Sequence, residues 1–274
     1  MAANRIVITP PGRLSIPRVG DMWEAREVLY RFGARDVTLR YRQTLLGVVW
    51  VILQPLLTAL VFVLVFGRIA HLPSGGVPYI LLVFSGLLVF NLFQGIVTRA
   101  QSSLVANRDL VSKVFFPRML VPLAVIYSNL VDFAVATVFL AILQIGFGVA
   151  PSWAVVLVPL WTLMAICLAS GVGLLTAALT VRYRDVSYVV PFFLQFLTYA
   201  SPVGYAVNAI PARYHLFFDV NPLTWLLNEF RWSFLDMAVP PGWQIILSIV
   251  VPVVVLLGGA MVFEQMERSV ADLI

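Results

Sequence analysis

Six stretches of the chain are almost uninterrupted in apolar residues over the roughly 20 positions that a helix needs to cross a bilayer core of about 30 Å. They cover residues 45–66, 78–97, 119–149, 153–180, 189–209 and 245–263, and the third is long enough to tilt or to break near Gly146. The pieces between them have patterns of their own. Over 21–32, Met22, Ala25, Val28, Leu29 and Phe32 recur at helical spacing while Glu24, Arg26, Glu27 and Arg31 face away, with Glu27 and Arg31 placed for an i,i+4 pair. This predicts an amphipathic helix lying on the membrane surface or on a partner protein. Over 102–114 a short helix starts at Ser102 or Ser103 and stops before Pro117. It is too polar to cross. Residues 210–242 are rich in aromatics but interrupted by charges and by Asn221-Pro222, so their apolar runs are too short to span. They predict an outer interfacial or re-entrant segment with Trp225 and Trp232 at interface depth. The pattern as a whole is that of an all-α integral membrane protein: an N-terminal segment over 1–44, then a six-helix membrane domain over 45–274.

Composition agrees: 61% of the residues are apolar and 11% charged, with a mean hydropathy of +0.96. A water-soluble globule of that make-up would expose far too much hydrocarbon. Charge adds orientation. Of the 18 cations, eight arginines precede the first run, while Arg99, Arg108, Lys113 and Arg118 fall in the second connection, Arg182 and Arg184 in the fourth and Arg268 in the tail. Only Arg68, Arg213 and Arg231 fall on the opposite side. The excess of cations on one side predicts that both termini are cytoplasmic. The net charge of +5 then reports topology first, and attraction to anionic lipid or a phosphorylated substrate second, with no nucleic-acid partner implied. The first apolar run begins too late and is too long for a cleavable signal peptide. Cys167, the single cysteine, cannot form an internal disulfide, and neither it nor the loop residues His71 and His215 suggests a metal site.

Polar side chains inside apolar runs are costly and must face protein or water. In the first run Trp50, Gln54, Thr58 and Phe62 recur at four-residue steps. In the fifth, Tyr188, Phe192, Gln195, Tyr199 and Pro202 follow the spacing of one helical face. Each stripe is either a helix-packing seam or a wall that touches sugar, rings stacking on pyranose faces while amides bond hydroxyls. Packing seams favour small residues, as Ala169, Gly173 and Ala177 of the fourth run illustrate. Asp132, one turn after Ser128, is the acid set deepest in a run, and a structural pairing inside the bundle is expected of it ahead of an ion or proton site. The only lysine, Lys113, sits in "VANRDLVSK", which lacks the glycines of a phosphate-cradling loop. Any drive from ATP must therefore come from a partner.

The segment "RYRQTLLGVVWVILQPL" resembles the start of the first span in ABC-2 type permeases, especially exporters of lipid-linked polysaccharide such as O-antigen, capsule and teichoic acid. The resemblance continues through "NRDLVSKVFFPRMLVP", "RDVSYVVPFFLQFLTYASPVGYA" and "NPLTWLLNEFR", and is silent on the Pro- and Arg-containing leader. It implies a homodimer of six-helix subunits in the bacterial inner membrane, docked on two ABC ATPase subunits that bind ATP and magnesium, so that this chain holds no cofactor and is not an enzyme by itself. It also implies that the first and fifth spans line the path. Asn107, Arg108, Asp109 and Lys113 would belong to a coupling helix on the ATPase, and 21–32 to a gate helix at the cytoplasmic mouth. Arg40, Arg42, Arg182 and Arg184 would surround that mouth, attracting a lipid phosphate or anchoring the interface. The alternative within the family is export of a drug or small lipid, for which fewer path aromatics are expected. A membrane glycosyl- or phosphotransferase would need clustered cytoplasmic acids, whereas Asp36, Asp109 and Asp185 are far apart in sequence. An ion-coupled transporter would carry several intramembrane charges where only Asp132 qualifies.

Overall fold

The computed structural model describes residues 19–42, 47, 49–113 and 116–273, and every regular element among them is helical. The leader, the first residues of the first predicted span and the end of the predicted 102–114 helix lie outside the described residues. In chain order the helices are α1 (Val19–Glu24), α2 (Arg26–Tyr41), α3 (Val49–Phe62, continued by a π-helical turn over Val63–Ile69), α4 (Tyr79–Ala106), α5 (Arg108–Lys113), α6 (Leu120–Phe147), α7 (Val158–Arg182), α8 (Val186–Ala200), α9 (His215–Asp219), α10 (Pro222–Leu235) and α11 (Gly242–Leu273). Among the described residues, five stretches are long and apolar enough to cross a membrane: Val49–Ile69, Tyr79–Ala106, Leu120–Phe147, Trp153–Arg182 and Gly242–Met266. The chain is a multi-pass membrane protein.

The fifth predicted span is shorter than the hydropathy suggests. α8 ends at Ala200 rather than near 209, and its 15 residues reach only about 22 Å. Ser201 precedes Pro202 and adopts an extended backbone (φ −104°, ψ 150°), because the proline ring disfavours helical geometry in the residue before it. The third span, in contrast, does not break near Gly146. α6 runs unbroken to Phe147 and ends where Gly148 takes a left-handed conformation (φ 67°).

α4 is the central helix. Residues 81–90 are all buried, which is why this helix is apolar on every side: α3, α6, α7, α8 and α10 surround it. α7 lies between α4 and α11 and meets both through small residues. Ala169 and Ala177 are fully buried, and a Cβ at Gly173 would come within 2.9 Å of the Ala100 methyl. On the other side, Gly171 and Gly259 bring the backbones of α7 and α11 into direct contact; a Cβ on either would fall on a backbone oxygen across the joint, Val255 or Gly171 respectively. Small residues here replace the hydrophobic drive that helices lack in lipid with close van der Waals approach.

The N-terminal helix is broken and extended relative to 21–32. α1 and α2 part at Ala25, where Arg26 lies over the Trp23 ring and donates to the Trp23 carbonyl at 3.3 Å, an acceptor released by the break. α2 then runs on to Tyr41 because it packs on α6. Gly33 permits this contact, since a Cβ there would sit 2.6 Å from the Tyr127 ring. The partner of this amphipathic helix is thus the chain's own third span.

The segment over 210–242, predicted to lie outside, is drawn into the protein. Asn221 caps α10, its Oδ1 accepting from the Leu223 amide at 3.0 Å, with Pro222 at the first helical position. Of its side chains, Leu226 and Phe230 are fully buried, and Trp225 and Trp232 are 4% and 5% exposed rather than interfacial. Arg231, counted above among the outer cations, is instead buried, and it donates to the carbonyls of Leu82 (3.2 Å), Val203 (2.8 Å) and Tyr205 (3.1 Å). The turn after α8 leaves the Val203 and Tyr205 carbonyls outside any helix, and a guanidinium supplies the donors they need. Gly86 of α4 makes room for both the Val203 carbonyl and the guanidinium.

Candidate functional site

α8 carries two faces of opposite fate. Val190 and Leu194 are buried against α4 and α7, while Tyr188, Phe192 and Tyr199 are 79%, 73% and 59% exposed with Gln195 exposed among them. The sequence stripe is therefore not a packing seam within the subunit. Tyr183, Arg182 and Arg184 lie exposed at the corner between α7 and α8, the Arg182 guanidinium 5.4 Å from the Tyr183 ring centre.

The stripe on α3 divides. At its C-terminal end Phe62 stands edge-on to Tyr199, ring centres 6.3 Å apart, and stacks on Phe66 at 5.5 Å. The two stripes meet there. Thr58 is half-buried and turns inward on its own helix, donating to the Gln54 carbonyl at 3.0 Å. At its N-terminal end Trp50 and Gln54 line a cavity of about 530 Å³ between α3, α4 and α6, with Arg40 and Tyr41 of α2 on its wall and nothing from α8.

That cavity brings together residues the sequence reading left apart. α4 presents Asn91, Gln94, Thr98 and Arg99 to it, and α6 presents Asn129 and Asp132. Helical spacing carried a signal for this face, since Phe84, Leu88, Asn91, Gly95 and Thr98 recur at steps of four and three. The apolar pattern puts Arg99 in the second connection, but α4 continues to Ala106 and keeps it inside a helix. Asn129 reaches the wall through Gly95, where a Cβ would collide with its carboxamide oxygen.

Asp132 is paired inside the bundle, as expected for it. Arg40 contacts its Oδ2 at 2.5 Å, and the Tyr41 hydroxyl donates to Oδ1. Burial, and then the hydrogen bond to Asp132, push the Tyr41 phenol up to about 12, so it stays a donor at any physiological pH. Arg40 is accordingly tied to α6, while Arg42 is exposed just beyond the end of α2.

At the far end of α4 the predicted 102–114 helix resolves into two parts. Ser102 belongs to α4, and the separate helix is α5, which starts after Asn107 leaves helical geometry (φ −110°, ψ 25°). The Asn107 side chain donates to the Ser103 carbonyl at 2.8 Å and accepts from Arg35 of α2 at 2.7 Å. Arg108, Asp109 and Lys113 are exposed on α5. The N-terminal helix and the corner that precedes α5 are therefore directly bonded.

A model of the ABC-2 type transporter family matches residues 28–235. Among curated relatives, the O-antigen export system permease protein RfbA of Myxococcus xanthus is 28% identical over 256 residues, covering 93% of this chain and 98% of the relative. A protein of the same name from Klebsiella pneumoniae is 24% identical over 203 residues, 74% of this chain and 78% of the relative. The polysialic acid transport protein KpsM of Escherichia coli is 25% identical over 215 residues, 76% of this chain and 80% of the relative.

Proposed function

Since the chain belongs to the ABC-2 type transporter family, we propose that it is the permease subunit of an ATP-driven exporter that moves lipid-linked polysaccharide from the cytoplasm across the bacterial inner membrane. The observation that carries this reading is the open face of α8, where Tyr188, Phe192, Gln195 and Tyr199 stand free of the subunit's own core. Aromatic rings give a sliding glycan weak, repeated stacking contacts, and the amide bonds hydroxyls in passing. In a homodimer two such faces, with Trp50, Gln54, Thr58 and Phe62 of α3 beside them, would enclose one conduit. The names of the relatives, which speak of O-antigen and polysialic acid, support a glycan cargo.

In this reading two separate ATPase chains bind ATP and magnesium and dock on α5 and its approach, at Asn107, Arg108, Asp109 and Lys113. Both termini are cytoplasmic, and Arg40, Arg42, Arg182 and Arg184 mark the inner mouth. A second reading, export of a small lipid, draws on an apolar cavity of about 420 Å³ between α4, α7 and α8. Deleting the gene in its host separates them. Loss of long-chain surface glycan with lipid-linked polymer accumulating inside is the result expected, whereas intact surface glycan refutes the first reading.

A further inference from the structure

Among the described residues, the cavity between α3, α4 and α6 holds an imbalance of charge. Two arginines line it. Arg40 is paired with Asp132 at 2.5 Å. Among the described residues Arg99 has no carboxylate within ion-pair distance, although Asp132 and Asp36 act on it from further off, and its hydrogen bond goes to the neutral Ser128 hydroxyl. A guanidinium carries five N–H donors in a planar fork, so most of those on Arg99 are unused. Around it the carboxamides of Gln54, Asn91 and Gln94 have no hydrogen-bond partner among the described residues, although the nearby Asn129 amide is held by the Val125 carbonyl at 2.7 Å. An arginine with no carboxylate in direct contact beside three idle amides, on helices of membrane-spanning length, is an expensive arrangement unless something enters.

The ligand chemistry follows from these groups. The net positive charge asks for an anion, and the guanidinium fork matches the paired oxygens of a phosphate. The amides suit ester oxygens or the hydroxyls of a first sugar. Gln54 and Asn91 are exposed and Trp50 is half-exposed, so the cavity is open to an entering group. We propose that this cavity is a binding site for the phosphate headgroup of a lipid, with Arg99 as its principal ligand and Asn91 and Gln94 as supporting donors. The identification of that lipid with the anchor of an exported glycan rests on the function proposed above; the site itself does not.

The test uses full-length protein in phosphatidylcholine nanodiscs, titrated separately with farnesyl diphosphate and with phosphatidylglycerol. Arg99→Gln weakens binding by about ten-fold or more, the loss of a charge-assisted bidentate contact, and Arg99→Lys restores part of it. Arg213→Gln, which removes an equal charge from the outer surface, leaves binding unchanged. Asn91→Leu removes an amide that has no structural partner, so it folds and still binds more weakly. Preference for the diphosphate assigns the site to an export anchor; equal binding of both probes supports the site and assigns it to bilayer phospholipid. Wild-type binding of both probes by folded Arg99→Gln and Asn91→Leu proteins overturns the proposal, as does failure of the unmodified protein to bind either. The two readings fail separately, because surface glycan in the deletion strain does not bear on these titrations.

Discussion

Replacing Tyr199 by alanine, beside the same truncation of Leu194 on the opposite face of α8, distinguishes a path from a seam. A tyrosine covers about 150–250 Å² when wholly enclosed. At 59% exposure roughly 80 Å² of Tyr199 is covered, so at ~25 cal/mol/Å² its removal costs about 2 kcal/mol at most. Leu194 is 2% exposed, and emptying its site leaves a cavity worth about 3–5 kcal/mol by the precedent of soluble cores. The assay pairs thermal stability of the purified complex with surface display of glycan per folded complex. Tyr199→Ala is expected to express, dimerise and hydrolyse ATP near normally yet to slow the appearance of long chains. Leu194→Ala is expected to lose stability, with export falling only as folded protein falls. Gln195→Trp, which intrudes on the exposed face without leaving a void, blocks more strongly than Tyr199→Ala. If Tyr199→Ala destabilises as much as Leu194→Ala while export per folded complex is unchanged, the conduit argument is wrong.

Other consequences can be measured directly. Arg231→Met strips the donor from three buried carbonyls and should cost about 3 kcal/mol or more in thermal unfolding, with Arg231→Lys recovering part; a neutral substitution would contradict the anchoring role. Gly259→Val cannot be accommodated against the Gly171 backbone and is expected to abolish folded protein in detergent, whereas Gly146→Ala, which meets nothing within 4 Å, is expected to be tolerated. Arg108→Glu on exposed α5 should weaken co-purification of the ATPase or uncouple its activity from export without changing the permease's own stability; full coupling would count against docking there. A cysteine replacing Val239, 66% exposed, should react with an impermeant thiol reagent in intact cells and one replacing Val105, 54% exposed, only after lysis. The reverse pattern would invert the topology.

What the sequence made legible was whatever depends on local pattern. Hydropathy located the long helices, and the stripe on α8 emerged as one face because helical spacing is a property of the chain alone. The small residues of the fourth run emerged as a seam for the same reason. Misplaced features depended on distant atoms. Arg231 looked like a surface cation because nothing near it reveals that a turn after Ala200 leaves the Val203 and Tyr205 carbonyls seeking donors. Arg99 looked like a loop residue because the apolar run fades at Val97, although α4 continues for more than two turns beyond it. With Arg99 in the loop, Asn91 and Gln94 had no cluster to join. The length of α8 was overread because Val203 and Ala206 prolong the apolar run, and hydropathy is blind to the backbone constraint that Pro202 places on Ser201.

The joint at Gly171 and Gly259 has a mechanical meaning. Contacts between side chains can be retuned by rotating a χ angle, and the ring of Tyr199 against Phe62 is of that kind. Where main chain rests on main chain there is no rotor to turn, so sliding by a fraction of an ångström either collides or separates. α7 and α11 therefore travel as one beam. On the conduit reading, any change of bore falls to the other flank, where α3 and α8 touch through aromatic rings that can swing without breaking a backbone contact.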